Sequence, residues 1–293
     1  MDNRQFLKEN LQMIEIEIFS YCNRKCWFCP NSVIDRISQN TLMPEETYLS
    51  ILHQLRDIDY DGYITYSRYN EPTSHKELFL KRIKQAREIL PKALLKTNTN
   101  GDYITREYIE DLQEAGFDEL YIQQYLGNNE KYNHDKMKRR AMKKIAKLDL
   151  PYAILVDIPG AKLEYDLKYK NMIIHIRSRN FDIDGSSRGD SVDAGTDYQR
   201  TQKCIQPFNN MYFDYNGSAM VCCALRSDVP GQESGIMGSI HDNSLADIFV
   251  NDLYLPWRSH LKDDGPKSGF CKTCKDGVKF DYEKIMKEKN NEI

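Results

Sequence analysis

Between residues 13 and 19 the chain alternates apolar and polar side chains, MIEIEIF, a period of two that predicts a β-strand. Pro44-Glu45-Glu46 then opens an apolar pattern of helical spacing that runs to about Asp57, with proline in the first turn and acids at the amino end. The rhythm repeats. GYITYS (62–67) reads as a strand, KELFLKRIKQAREIL (76–90) as a helix, ALLKTN (93–98) as a strand, and 105–115 as a helix capped by Thr105 and closed by Gly116. FDELYIQ (117–123) is the next strand, followed by a helix from about 129 to 148 and strands near 152–156 and 172–176.

Strands alternating with helices of this length predict a parallel sheet with right-handed crossovers. About six strands give the expected fold class: α/β, a partial (β/α)6 TIM-like barrel, with its chemistry at the carboxyl ends of the strands. After Phe181 the pattern breaks into DIDGSSRGDSVDAGTD, rich in Gly, Ser and Asp, which reads as a linker. A second unit begins near Gln202, and MYFDYNGSAMVCCAL predicts a hairpin around Asn216-Gly217. The expected division is residues 1–185 and 186–293.

The 293 residues are 40% hydrophobic and 29% charged, with a net charge of −3, so bulk electrostatics give no reason to expect nucleic acid or membrane. MDNRQFLKEN lacks the apolar core of an export signal, and no apolar run is long enough to span a bilayer; a cytoplasmic location is expected. One local concentration of charge stands out: residues 131–147 hold eight Lys or Arg against one Asp, which reads as a solvated helix face or as a site for phosphate or a partner protein. Eight cysteines in tight spacings, without an export signal, point to metal ligation rather than disulfides.

Three of them, Cys22, Cys26 and Cys29, lie in YCNRKCWFCPN, directly after the first strand. Three thiols make a poor structural zinc site, which closes with four ligands. On a four-iron cluster they leave one iron open. The C-x3-C-x-aromatic-C spacing of Cys22, Cys26, Phe28 and Cys29 resembles the defining loop of the radical S-adenosylmethionine (radical SAM) superfamily. That resemblance implies a [4Fe–4S] cluster on Cys22, Cys26 and Cys29, with S-adenosylmethionine on the open iron. Reductive cleavage of that cofactor then gives a 5′-deoxyadenosyl radical that abstracts hydrogen from a substrate. RYNEP (68–72) resembles the GGEP motif of the same family: Glu71 and Pro72 match, while Tyr69 and Asn70 replace the two glycines. The cofactor-binding residues so implied are Phe28, Tyr69, Asn70 and Glu71, with Asn98 and Gln123 at strand ends.

Farther on, the C-x12-G-x4-C spacing of Cys204, Gly217 and Cys222, followed by FCKTC with Cys271 and Cys274, resembles the SPASM auxiliary-cluster domain. No cysteine follows Cys274, as in its shortened twitch form, which implies one auxiliary [4Fe–4S] cluster held by Cys204, Cys222, Cys271 and Cys274. A four-cysteine zinc ribbon fits the same thiols. A fully ligated cluster suits the role of electron acceptor, so the resemblance implies two-electron oxidation of a small polar substrate, sugar- or aminocyclitol-like. Two alternatives stay open: epimerisation with the spare Cys223 as hydrogen donor, and peptide modification. Arg188, in SSRGD, is expected to bind a polar substrate or assist its deprotonation. A flavodoxin- or ferredoxin-type electron donor is the implied partner.

Overall fold

The computed structural model describes residues 2–128, 130–195 and 197–291. It opens on a helix that the polar amino-terminal residues did not signal, α1 (Asn3–Asn10), which buries Leu7. The β/α rhythm then follows as expected through β1 (Met13–Ile16), α2 (Glu45–Arg56), β2 (Tyr63–Thr65), α3 (Lys76–Ile89), β3 (Leu94–Thr99), α4 (Arg106–Glu114), β4 (Glu119–Gln124) and α5 (His134–Leu148). The Thr105 hydroxyl accepts from the Tyr108 amide at the start of α4, and Gly116, with φ at +86°, turns the chain after its end. α5 starts under an Asn133 cap, later than the pattern suggests, and position 129 lies outside the described residues.

Beyond α5 the simple repetition stops. β5 (Tyr152–Ile158) turns at Gly160 into β6 (Lys162–Tyr169), a strand the pattern did not reveal, and Lys170, with φ at +51°, turns that into β7 (Met172–Arg179). Such tight turns permit only antiparallel pairing, because a parallel neighbour needs a long crossover. β7 is therefore the strand that joins β4 in parallel, while β6 and β5 trail to the sheet edge. The sixth parallel strand comes from the carboxy-terminal segment: β8 (Asn210–Phe213) pairs in parallel with β1. β9 (Ser218–Met220) completes the expected hairpin, and β10 (Ile236–Ser239) follows it. The sheet order is β10-β9-β8-β1-β2-β3-β4-β7-β6-β5, an α/β partial barrel in which segments 1–185 and 186–293 share one sheet.

The alternation in β1 separates a helix-packed face from a charged interior. Ile14, Ile16 and Ile18 are fully buried in the common core, each contributing about 1.5–3 kcal/mol through burial. Glu15 and Glu17 are buried as well, and three arginines from loops answer them. Arg68 lies 2.6 Å from Asp214 and 3.4 Å from Glu15; Arg226 lies 3.1 Å from Glu17; Arg36 lies 3.6 Å from Glu17 and 2.7 Å from Asp228. Burial pushes Glu15 up to about 7, against the pull of Arg68.

Candidate active site

Each loop at a strand's carboxyl end adds a wall to one cleft of about 260 Å³. Cys22, Cys26 and Cys29 come from the loop after β1, and Tyr69, Asn70 and Glu71 from the loop after β2. Asn98 ends β3, Gln123 ends β4, and Arg177 and Arg179 end β7. The two loops are stitched together: the Glu71 amide donates to the Tyr21 carbonyl at 2.8 Å, and the Asn31 amide group donates to the Tyr69 carbonyl at 2.7 Å. Burial pushes the Cys22 and Cys26 thiols up to about 12 and raises Cys29 too, so the ionised forms need a cationic partner.

The RYNEP residues divide their work. The Glu71 carboxylate accepts from the Thr73 amide, from the hydroxyls of Thr73 and Thr99 at 2.6 Å, and from the Asn100 amide at 2.6 Å, so it ties the end of β3 to the loop after β2. Asn70 accepts from the Arg68 amide, while its Nδ2 is buried with no protein partner. An orphaned donor on the cleft wall has a ligand's acceptor as its natural mate. Tyr69 reaches the other way: its hydroxyl donates to the Cys223 carbonyl at 3.0 Å, and Arg226 covers its ring at 4.6 Å. Phe28 stacks on Phe181 with ring centroids 3.6 Å apart and packs beside Tyr125. Asn98 Oδ1 accepts from Arg177 at 2.8 Å, and the Gln123 side-chain oxygen accepts from the same guanidinium, also at 2.8 Å.

The second group of cysteines encloses a separate cavity. Cys204, Cys222, Cys223, Cys271 and Cys274 all line it, over an apolar floor that includes Pro207, Val221, Trp257 and Leu261. Burial pushes Cys271 up to about 11 and Cys274 up to about 12, and raises Cys204 and Cys222. Arg200, 2% exposed, clamps this unit by donating to the carbonyls of Gln202, Lys203, Cys274 and Asp276. Among the described residues no three His, Cys, Asp or Glu side chains converge on a single-ion site. The fit of these cavities to clusters rests on the number and softness of their thiols.

Arg188 joins the two cavities. It lines the cleft, and its guanidinium lies 3.2 Å from the Asp276 carboxylate, which in turn accepts from the Cys223 thiol at 3.7 Å and the Cys274 thiol at 3.8 Å. Its backbone is left-handed, φ +51°, held by Ser191 and Gln232 on its carbonyl. Arg177, Arg179, Arg200 and Asp276 escaped the sequence reading. The two β7 arginines had a signal, since residues two apart at a barrel strand's carboxyl end point into the same mouth. Nothing in the local pattern marked Arg200.

Residues 16–165 match the sequence model of the radical SAM superfamily, just over half of the chain. The chain belongs to the radical SAM superfamily. Residues 204–275 match SPASM, an iron–sulfur cluster-binding domain, which decides the carboxy-terminal unit in favour of iron–sulfur over zinc. As a radical SAM enzyme with this second domain, the chain has S-adenosylmethionine and iron–sulfur clusters as its cofactors. It is 27% identical over 266 residues to the S-adenosyl-L-methionine-dependent 2-deoxy-scyllo-inosamine dehydrogenase of Niallia circulans, covering 89% of this chain and 92% of that protein. Its fold is that of BtrN in complex with AdoMet and 2-DOIA, with a TM-score of 0.62, 24% identity, and coverage of 91% and 92% of the two chains. An open conformation of BtrN superposes with a TM-score of 0.58 at 22% identity, covering 92% of each chain. No helix among the described residues is long and apolar enough to cross a membrane.

Proposed function

We propose that Cys22, Cys26 and Cys29 hold a [4Fe–4S] cluster with one open iron, and that Cys204, Cys222, Cys271 and Cys274 hold a fully ligated one. In this reading the chain oxidises a hydroxyl-bearing carbon of a small sugar- or aminocyclitol-like molecule by two electrons. The carrying observation is the Arg188–Asp276 pair, which makes one wall common to the cleft and to the auxiliary thiols. Bound in these sites, the cofactors supply hydrogen-atom abstraction at one end and a one-electron acceptor at the other.

The chain's own residues do the rest. The unpartnered Asn70 Nδ2 donates to S-adenosylmethionine, and Phe28 offers it an aromatic face. Glu71 fixes the loop on which Asn70 rides, Tyr69 ties that loop to the auxiliary segment, and Asn98 and Gln123 present polar edges. Arg188, its charge countered by Asp276, holds the oxygen-rich substrate and favours loss of the hydroxyl proton to solvent. Residues 1–185 thus serve cofactor cleavage, 186–293 serve the acceptor, and a flavodoxin- or ferredoxin-type protein supplies the reducing electron. The relative named as a 2-deoxy-scyllo-inosamine dehydrogenase supports alcohol oxidation as the reaction class. So does Cys223, whose sulfur lines the auxiliary cavity rather than the cleft, an awkward place for a hydrogen donor to substrate.

The test is anaerobic reconstitution followed by dithionite, S-adenosylmethionine and a panel of aminocyclitols and sugars. About eight irons per chain are expected, with one 5′-deoxyadenosine formed per ketone product. Stereoinversion carrying a solvent deuteron, without oxidised product, would replace oxidation by epimerisation.

A further inference from the structure

Resting on the reading that the first cluster sits in the Cys22–Cys29 loop, we propose that the basic face of α5 docks an acidic one-electron carrier protein beside that loop. Arg140, Lys143, Lys144 and Lys147 stand at i, i+3, i+4 and i+7, a single stripe of the helix. Together with Arg24 they line one open cavity of about 480 Å³. Arg24 lies between Cys22 and Cys26 in the chain, and its charge acts on the Cys26 thiol.

The stripe is fastened to the cysteine loop. Lys144 donates to the Gly101 carbonyl at 2.7 Å and to that of Ile104 at 3.3 Å, and the neighbouring Asp102 takes both Arg24, at 2.5 and 2.8 Å, and Asn23, at 2.8 Å. The two acids that line this cavity are thereby consumed: Asp102 by Arg24, and Glu130 by Lys136. Arg139, Lys143 and Lys147 are exposed and have no acidic partner among the described residues. Like charges three and four positions apart oppose helix formation, so the stripe works against the stability of α5. The chain as a whole is slightly acidic, which makes this a local field rather than a general affinity for anions.

Position selects the partner. Cys22, Cys26 and Cys29 face the cofactor cleft, while half-buried Arg24, between the first two of them, lines both that cleft and the cavity of the basic stripe. A protein that must deliver single electrons to that loop meets this wall, and complementary charge steers its encounter and fixes its orientation. An acidic flavodoxin fits both requirements.

The test compares the reconstituted holoenzyme with Lys143→Glu/Lys147→Glu and with a control of equal charge change, Lys84→Glu/Lys168→Glu, both exposed lysines on other elements. Binding of a fluorescently labelled acidic bacterial flavodoxin is followed by anisotropy, and 5′-deoxyadenosine is measured with flavodoxin, its reductase and NADPH, or with dithionite alone. The first variant should bind flavodoxin about tenfold more weakly and lose about tenfold in the flavodoxin-driven rate, while dithionite-driven cleavage and the control stay at wild-type values. Wild-type affinity should also fall as ionic strength rises from about 20 to about 200 mM. Unchanged flavodoxin affinity in the first variant, or equal loss in the control, overturns the docking surface. Wild type that fails to cleave S-adenosylmethionine even with dithionite overturns the underlying reading instead.

Discussion

Replacing Arg68 with methionine keeps the length of the side chain and removes its charge. The guanidinium is buried and serves Asp214 at 2.6 Å, Glu15 at 3.4 Å and the Leu225 carbonyl at 2.7 Å. Its loss strands two buried carboxyls, and breaking such a pair costs about 3–5 kcal/mol out of a total stability of about 5–15 kcal/mol. For a chain of this size the melting temperature should fall by about 6–10 °C. The pH dependence identifies the cause. Burial already raises Glu15 from 4.5 to about 7 while Arg68 pulls it down. A carboxyl raised in the folded state contributes no penalty below its unfolded value, an increasing one above it, and the full one beyond its folded value. Arg68→Met raises the folded value further, so its deficit should be large at about pH 8 and clearly smaller at about pH 6. Adding Glu15→Gln should restore part of the loss at the higher pH. Circular-dichroism melting of the anaerobically reconstituted protein at both pH values reads this out. A deficit equal at the two, or a melting point within about 2 °C of wild type at the higher one, would refute the reasoning.

Two further outcomes are expected. Asn70→Leu, which removes the unpartnered buried donor, should weaken S-adenosylmethionine binding by about tenfold in equilibrium dialysis and lower the melting temperature only slightly, since the one protein bond lost is that from the Arg68 amide to Oδ1. Cys223→Ser should keep the iron content and visible absorption of both clusters and most turnover, whereas Cys222→Ser should lose auxiliary iron; a full stop in the former would reinstate a hydrogen-donating thiol.

The β/α rhythm of the first half was legible because its helices carried start and stop signals, such as Thr105 and Gly116, and its strands short apolar runs. The grouping of the cysteines into two cavities was legible because the C-x3-C-x2-C and C-x2-C runs are local. The β5–β6 hairpin was not, since KLEYDLKY shows alternation but nothing that says whether its neighbour is parallel. The alternation of β1 was read correctly as a strand, yet Glu15 and Glu17 point to buried arginines that come from residues 36, 68 and 226. No period along one strand reveals partners that distant. The same holds for Arg188: its place in a Gly- and Ser-rich stretch suggested a linker, and only Asp276, from the other end of the carboxy-terminal unit, gives it a fixed orientation.

The parallel pairing of β1 with β8 also has a consequence for biosynthesis. Met13 and its neighbour Asn210 are nearly two hundred positions apart, so on a translating ribosome one edge of the first strand stays uncovered for roughly 10–40 s at about 5–20 residues per second. Throughout that interval the strand that leads into the Cys22–Cys29 loop lacks one of its two neighbours. Arrival of β8 covers that edge, and only then does the carboxy-terminal segment bring Tyr69 its partner at Cys223 and Arg188 its partner at Asp276. Connectivity alone thus makes the β1–β8 edge among the last parts of the sheet to close.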